Sequence, residues 1–269
     1  MQLCALPALA DNYIWVLHNG REAIVCDPAE AEVVISALQR WQLALAAILI
    51  THHHDDHIGG VNELYRQCGT PATQVYLPAA DGLSPQAFPA ISPQALRPCR
   101  QGDSVQLPGL RLEVLDVPGH TAGHIAFYAA AQPGLPEPLV LCGDSLFSAG
   151  CGRMFEGTPE QMHKKKKKLA ALPDSTRVCC THEYTVSNLR FAQAVEPDNA
   201  AITLHAKHCE ALRQQQQPTL PSSLQQEKAI NPFLRVHEPA VQAAVAARHP
   251  SVSGAVGVFA ALRAWRDHF

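Results

Sequence analysis

The sequence has no long apolar run, no excess of charge of either sign and no CxxC pair. Its apolar stretches stop short of the ~18 residues that a membrane-spanning helix needs, so no membrane partner is expected. A formal net charge of -3 gives nothing that would draw the whole chain to nucleic acid or to an anionic surface. The nine cysteines are odd in number and scattered. They suggest neither a disulfide framework nor a zinc ribbon, and reduced thiols in a cytoplasmic protein are the simpler reading. The opening MQLCALPALADNYIW lacks the basic segment of a secretory leader.

What the chain does have is an ordinary globular balance, 47% hydrophobic and 17% charged, with an unusual 14 histidines. Residues 12–27 read as a hairpin turning at Asn19-Gly20. A helix with Val33, Val34, Ala37, Leu38 and Trp41 on one face comes next. LALAAILI then reads as a strand buried on both faces. GGVNELYRQCG is a helix with Gly69 as a C-terminal stop, and QVYLP is a strand. Residues 80–100 read as loop. SVQLPGLRLEVLDVPG reads as a hairpin, and HIAFYAA, PLVLCGD and RVCCTHEYT as strands. Thr158 and Pro159 open a helix that carries the run HKKKKK, expected to be a solvated face. After residue 185 the strand signals fade, and segments 187–195, 199–214, 222–229 and 238–247 read as helices. The expected organisation is a mixed α/β unit over residues 1–185 and a helical one over 186–269.

The chemistry concentrates in ILITHHHDDHIGG. In an extended segment residues two apart point the same way, so His52 and His54 can aim at one point while His53 points elsewhere. Asp56 and His57 can serve a second point where the chain turns. Three more strand ends deliver the same residue types: His120 and His124 in DVPGHTAGH, Asp144 in LCGDS, and His182 in CCTHEYT. Open α/β sheets place ligands at such strand ends, and this donor set suits a metal centre. His18, His163, His205, His208, His237, His249 and His268 have no such company and are read as structural. Cys142, Cys151, Cys179 and Cys180 lack a nucleophile motif. By itself the cluster implies a hydrolase or a related metalloenzyme.

THHHDDHIGG, PGHTAGH, CGDS and THEYT, in that order, resemble the metallo-β-lactamase superfamily, and most closely its glyoxalase II branch, the hydroxyacylglutathione hydrolases. The resemblance runs from DNYIWVL and the aspartate of VCDPAE to RAWRDHF. It implies an α+β fold: an αββα sandwich of two mixed sheets with helices outside, followed by a helical substrate-binding region. It also implies two divalent metal ions, zinc preferred and iron or manganese as alternatives. His52, His54 and His120 would hold one, Asp56, His57 and His182 the other, with Asp144 as the bridge. Asp56 and Asp144 would carry the catalytic roles. His53, Asp55 and His124 fall on positions the family does not use as ligands.

For substrate, the resemblance implies a glutathione thioester, above all S-lactoylglutathione, cleaved to glutathione and D-lactate by a monomeric enzyme of methylglyoxal detoxification. Arg153 matches a position where the family has a basic residue, and Tyr184 resembles a tyrosine that contacts the tripeptide; both are expected to bind substrate. Arg263 and Arg266 match a C-terminal basic pair for its glycine carboxylate. Phe155 stands where some relatives have tyrosine. The alternatives within the fold are a mononuclear iron persulfide dioxygenase and an inactive metal-binding module. A β-lactamase lacks support for want of an export signal, and a nuclease for want of a basic module.

Overall fold

The computed structural model describes residues 1–269. Strands β1 (Gln2–Ala8), β2 (Asn12–His18) and β3 (Glu22–Cys26) form an antiparallel meander. At the β2–β3 turn the Asn19 side-chain oxygen accepts the amides of Arg21 and Glu22, and Gly20 takes a φ of +89°. Helix α1 (Ala31–Trp41) crosses over to β4 (Ala44–Leu49), which runs parallel to β3. The short α2 (Asp55–Ile58) and α3 (Val61–Cys68) lead to β5 (Gln74–Pro78), and β6 (Leu96–Cys99) completes a six-stranded sheet.

The second sheet also has six strands: β7 (Ser104–Leu107), β8 (Leu110–Asp116), β9 (Ile125–Ala129), β10 (Leu139–Gly143), β11 (Arg177–Cys180) and β12 (Ser222–Ser223). Helix α4 (Pro159–Ala170) connects β10 to its parallel neighbour β11. Helices α5 (Thr185–Val195), α6 (Ala200–Gln214), α7 (Leu224–Ile230), α8 (Pro239–Arg248) and α9 (Gly254–Asp267) follow.

The pattern of β2 explains the sandwich. Strand side chains alternate between faces, yet every residue of β2 is buried. Tyr13, Trp15 and Leu17 enter the core between the sheets with Leu112, Val114, Phe127 and Leu141. Ile14 and Val16 face the outer layer with Val34 and Leu38 of α1 and Leu64 of α3. Each such side chain contributes about 1.5–3 kcal/mol by leaving water. The αββα sandwich expected from the sequence is the fold observed.

Several local expectations need correction. Strands β1 and β6 were not anticipated, and both are edge strands carrying a proline, Pro7 and Pro98; an edge is where a sheet tolerates the missing N–H. Helix α9 also went unread, because Gly254 and Gly257 weaken its pattern although Val258, Phe259 and Leu262 make a buried face. Residues 222–223 pair with β11 as a strand before α7 begins. Gly69 does end α3, but in an extended conformation; glycine is needed because a Cβ there would lie 2.4 Å from the Tyr65 carbonyl oxygen.

The lysine run is a solvated face only in part: Lys164 and Lys167 are exposed, but Lys165 and Lys166 are buried. The expected start of α4 is present as a capping box between Thr158 and Gln161. A run longer than one turn must also occupy the face that packs inward, and Lys165 and Lys166 lie there beside Met162 and Leu169. Lys165 Nζ donates to the Val117 carbonyl, and Lys166 Nζ donates to that of Ser145 at 2.9 Å. Burial pushes both ammonium pKa values down.

Candidate metal centre

Four loops at one edge of the sandwich supply the centre. The loop after β4 carries His52 and His54 and turns into α2 with Asp56 and His57. The loop after β8 carries His120, the end of β10 leads to Asp144, and the end of β11 leads to His182. Gly143, at φ +47°, lets these loops approach: a Cβ there would meet Thr51 Oγ1 at 2.4 Å and the His124 ring at 2.9 Å.

Three ring nitrogens converge first. His54 Nδ1 lies 3.1 Å from His52 Nε2 and 3.0 Å from His120 Nε2. Hydrogen bonds behind the rings set their tautomers. Thr51 Oγ1 donates to Asp27 Oδ2 at 2.7 Å, so it accepts from His52 Nδ1 at 3.0 Å. His120 Nδ1 donates to the Arg153 carbonyl at 2.7 Å. Both Nε2 atoms are therefore bare lone pairs. Burial holds His52 well below the ordinary imidazole range, and lowers His120 to about 4 despite the pull of Asp144.

A second group lies alongside. His182 Nε2 is 3.4 Å from Asp56 Oδ2 and 3.4 Å from Asp144 Oδ2. His57 Nε2 is 3.4 Å from Asp144 Oδ1 and 3.7 Å from Asp56 Oδ2. Asp144 Oδ2 also lies 3.4 Å from His120 Nε2, so this carboxylate touches both groups. Carboxylates again stand behind the rings: Asp27 Oδ2 at 3.0 Å from His57 Nδ1 and Asp11 Oδ1 at 2.7 Å from His182 Nδ1. Burial would lower both imidazole pKa values, but Asp144 and the flanking carboxylates raise His57 to about 10 and His182 to about 11. The His182 hydrogen bond holds the Asp56 carboxyl well below its usual range.

The donors fit divalent cations. His57 Nε2 and Asp144 Oδ1 are buried without a hydrogen-bond partner. The bare Nε2 atoms of His52 and His120 both converge on His54 Nδ1. In each of the sets His52–His54–His120, Asp56–His57–His182 and His52–His57–Asp144 the donor atoms lie within 4.8 Å of one another. These clusters are typical of a binuclear centre.

The remaining expected residues divide. Phe155, 61% exposed, sets its ring edge on His54 and His120, with centroids 5.5 and 5.3 Å away. Tyr184 stacks on His182 at 4.7 Å. Arg153 is mostly exposed and pairs with Asp267 at 3.3 Å. Arg266 reaches Ser187 Oγ at 2.9 Å, on the helix that follows Tyr184. Arg263 turns inward. It is only 7% exposed, beside Phe259 and Leu262, and it donates to the Cys151 carbonyl and to Asp267. His53 turns away to Asp81, and Asp55 is exposed at the start of α2 with no partner. His124 stacks on His52 at 4.5 Å and accepts the Asp144 amide at 3.2 Å. The seven isolated histidines lie outside the donor clusters.

Asp11, Asn12, Asp27 and Thr51 were missed as supports. Asn12 Nδ2 donates to the Asp56 carbonyl at 3.0 Å. Each is a single polar residue at a turn or strand end, and no spacing within the chain ties it to a histidine far along the sequence. The signal available was that Asp11 and Asn12 lie in DNYIWVL and Asp27 in VCDPAE, stretches that carry the family resemblance without a stated role.

Comparison with known proteins agrees with this geometry. The metallo-beta-lactamase superfamily matches residues 10–182, and the hydroxyacylglutathione hydrolase C-terminus matches residues 183–269. A hydroxyacylglutathione hydrolase of Albidiferax ferrireducens is 51% identical over 269 residues, 100% of both chains. Among solved structures, the BLEG-1 B3 metallo-beta-lactamase shares the fold at a TM-score of 0.61 and 24% identity, covering 87% of this chain and 99% of its own. TTHA1623, solved in a di-iron-bound form, is 30% identical with a TM-score of 0.51, covering 68% of this chain and 92% of its own. Both parts of the chain are thus matched, and the relative matches from end to end: the protein belongs to the hydroxyacylglutathione hydrolase family of the metallo-beta-lactamase superfamily.

Proposed function

We propose that the protein hydrolyses S-(2-hydroxyacyl)glutathione, S-D-lactoylglutathione foremost, to glutathione and the free hydroxy acid, D-lactate, within the glyoxalase route of methylglyoxal detoxification. The observation that carries this reading is the meeting of seven donors from four loops in a chain whose relatives match over its full length. His52, His54 and His120 would hold one divalent ion, and Asp56, His57 and His182 a second. Asp144 would serve both. Zinc is our first choice, since imidazole and carboxylate donors suit it, and they suit iron and manganese as well.

When bound, a cation pair supplies a water of lowered pKa and stabilises negative charge on a carbonyl oxygen. The chain's residues do the rest. Asp56 stays ionised, kept so by His182, and Asn12 Nδ2 steadies its Oδ2 from 3.3 Å. It can therefore accept a hydrogen bond from the attacking water and orient it. Phe155 and Tyr184 wall the centre on two sides and limit competing solvent. Arg153 and Arg266 offer the cations that a tripeptide with two carboxylates requires. Arg263 would act indirectly, by fixing Asp267 and the Cys151 loop. A thiol has a pKa of about 8.5, so the thiolate departs without an obligatory proton donor.

Elemental analysis of the purified protein, followed by the loss of ultraviolet thioester absorbance with S-D-lactoylglutathione, tests the reading. Two metals per chain with turnover supports it. One iron with oxygen uptake, or two metals without turnover, contradicts it.

A further inference from the structure

His53 lies between two metal-loop histidines yet faces the other way. Its amide and its Nδ1 both meet Asp81 Oδ2, at 2.7 and 3.0 Å. The other Asp81 oxygen accepts Thr121 Oγ1 at 2.7 Å and the Gly123 amide at 2.8 Å. One buried carboxylate thus ties the His52–His57 loop to the His120 loop. On its far side, His53 Nε2 lies 3.4 Å from Glu156 Oε1, while Glu156 Oε2 accepts the Ala122 amide at 2.7 Å.

Glu156 belongs to the segment 153–157, which carries Arg153 and Phe155. That segment is laid directly over His120. Its Phe155 and Gly157 amides donate to the His120 and Gly119 carbonyls, each at 3.2 Å. Gly157 sits so close that a Cβ would fall 2.3 Å from Gly119 Cα. The segment has no regular secondary structure; besides these bonds it is held at its start by His120 Nδ1 on the Arg153 carbonyl and by the Arg153–Asp267 pair, so the Glu156 contacts fix its far end.

We propose that His53, Asp81 and Glu156 form a latch that holds segment 153–157 against both ligand loops and so positions Arg153 and Phe155 for the thioester. All three are positioning residues, and the inference rests on the reading that this segment borders the substrate. The trio has the donor types of a cation site, but Asp81 Oδ2 is already taken by two donors from His53. The His53–Glu156 pair is partly exposed, at 32% and 39% of the side chains. Such pairs contribute little to global stability, so the latch acts on local order.

The test compares metal-loaded wild type, Glu156→Ala, His53→Ala, the double variant and Glu156→Gln. Hydrogen exchange is followed at the 155 and 157 amides, alongside metal content, melting temperature, KM and kcat. Either alanine variant should exchange about tenfold faster at those amides and raise KM about tenfold with kcat nearly intact. The double variant should be no worse than the poorer single one. Glu156→Gln should keep the segment ordered, because its amide oxygen still accepts from Ala122 and its NH2 can donate to a neutral His53 Nε2, where the wild-type carboxylate can only accept from a protonated ring. Exchange and KM unchanged in an enzyme that turns over would overturn the latch. So would a third metal lost with Glu156. If no thioester is cleaved at all, the substrate reading fails, and exchange alone still decides whether the segment is latched.

Discussion

Asp27 Oδ2 lies 3.0 Å from His57 Nδ1 and also receives the Thr51 hydroxyl, which in turn accepts from His52 Nδ1. One buried carboxylate therefore orients an imidazole in each of the two donor groups. Its own backbone sits at a φ of +51°, an unusual conformation for a residue other than glycine.

Asp27→Ala should weaken metal binding by roughly 10–100-fold, the usual effect of losing a carboxylate behind a ligating histidine. Competition with a chelator measures it. Wild-type affinity in a folded variant would remove Asp27 from the account.

Asp144→Ala should lose metal and activity together, because its two oxygens face His57 on one side and His120 and His182 on the other. Full occupancy with near-normal turnover would contradict the bridging assignment.

The arginines should separate by measurement. Arg153→Ala and Arg266→Ala should raise KM more than they lower kcat, as expected when anchoring is uniform between ground and transition states. Arg263→Ala should mainly lower the melting temperature, because its guanidinium is buried on the Cys151 carbonyl and Asp267. A KM effect from Arg263→Ala without any loss of stability would place it at the substrate instead.

In the metal-free protein, burial opposes protonation of His57 and His182, yet the carboxylates win and raise them to about 10 and about 11. An unfolded histidine titrates near ~6.5. Their stabilisation of the metal-free fold is therefore complete below that value and is lost as pH rises through about 10 to 11. Metal needs the neutral rings, so loading near neutral pH should release protons, and affinity should rise with pH. Calorimetry in buffers of different ionisation enthalpy reads the release; a buffer-independent heat would refute it.

Lys166→Met should stabilise the protein near neutral pH, because it removes a buried ammonium that has no carboxylate partner and meets only the Ser145 carbonyl. Burial lowers the Lys166 pKa, so the penalty is paid where it is charged. The gain from Met should shrink as pH climbs toward the ordinary lysine value. Melting curves over pH show whether it does.

Much of this arrangement was legible in the sequence. The continuous apolar runs and the HxHxDH cluster announced a sheet delivering donors at its ends, and the ordered motifs supplied the sandwich that element order alone could not. The illegible parts share a cause: they depend on contacts between distant segments. Pro98 reads as loop until β6 is known to be an edge. The lysines read as solvated until α4 is docked on the Val117 and Ser145 carbonyls. Asp11 reads as a turn residue until His182 arrives 171 positions later. Arg263 and Arg266 look like a pair in sequence and stand one turn apart on α9, yet Arg263 turns inward to the Cys151 carbonyl, which no spacing announces.

The central claim is that the seven donors hold two cations on which thioester hydrolysis depends. Stripping the protein with a chelator and titrating zinc back while following S-D-lactoylglutathione turnover tests it most directly. Activity should vanish on stripping and return in full at two equivalents. Undiminished turnover in metal-stripped protein would contradict the account.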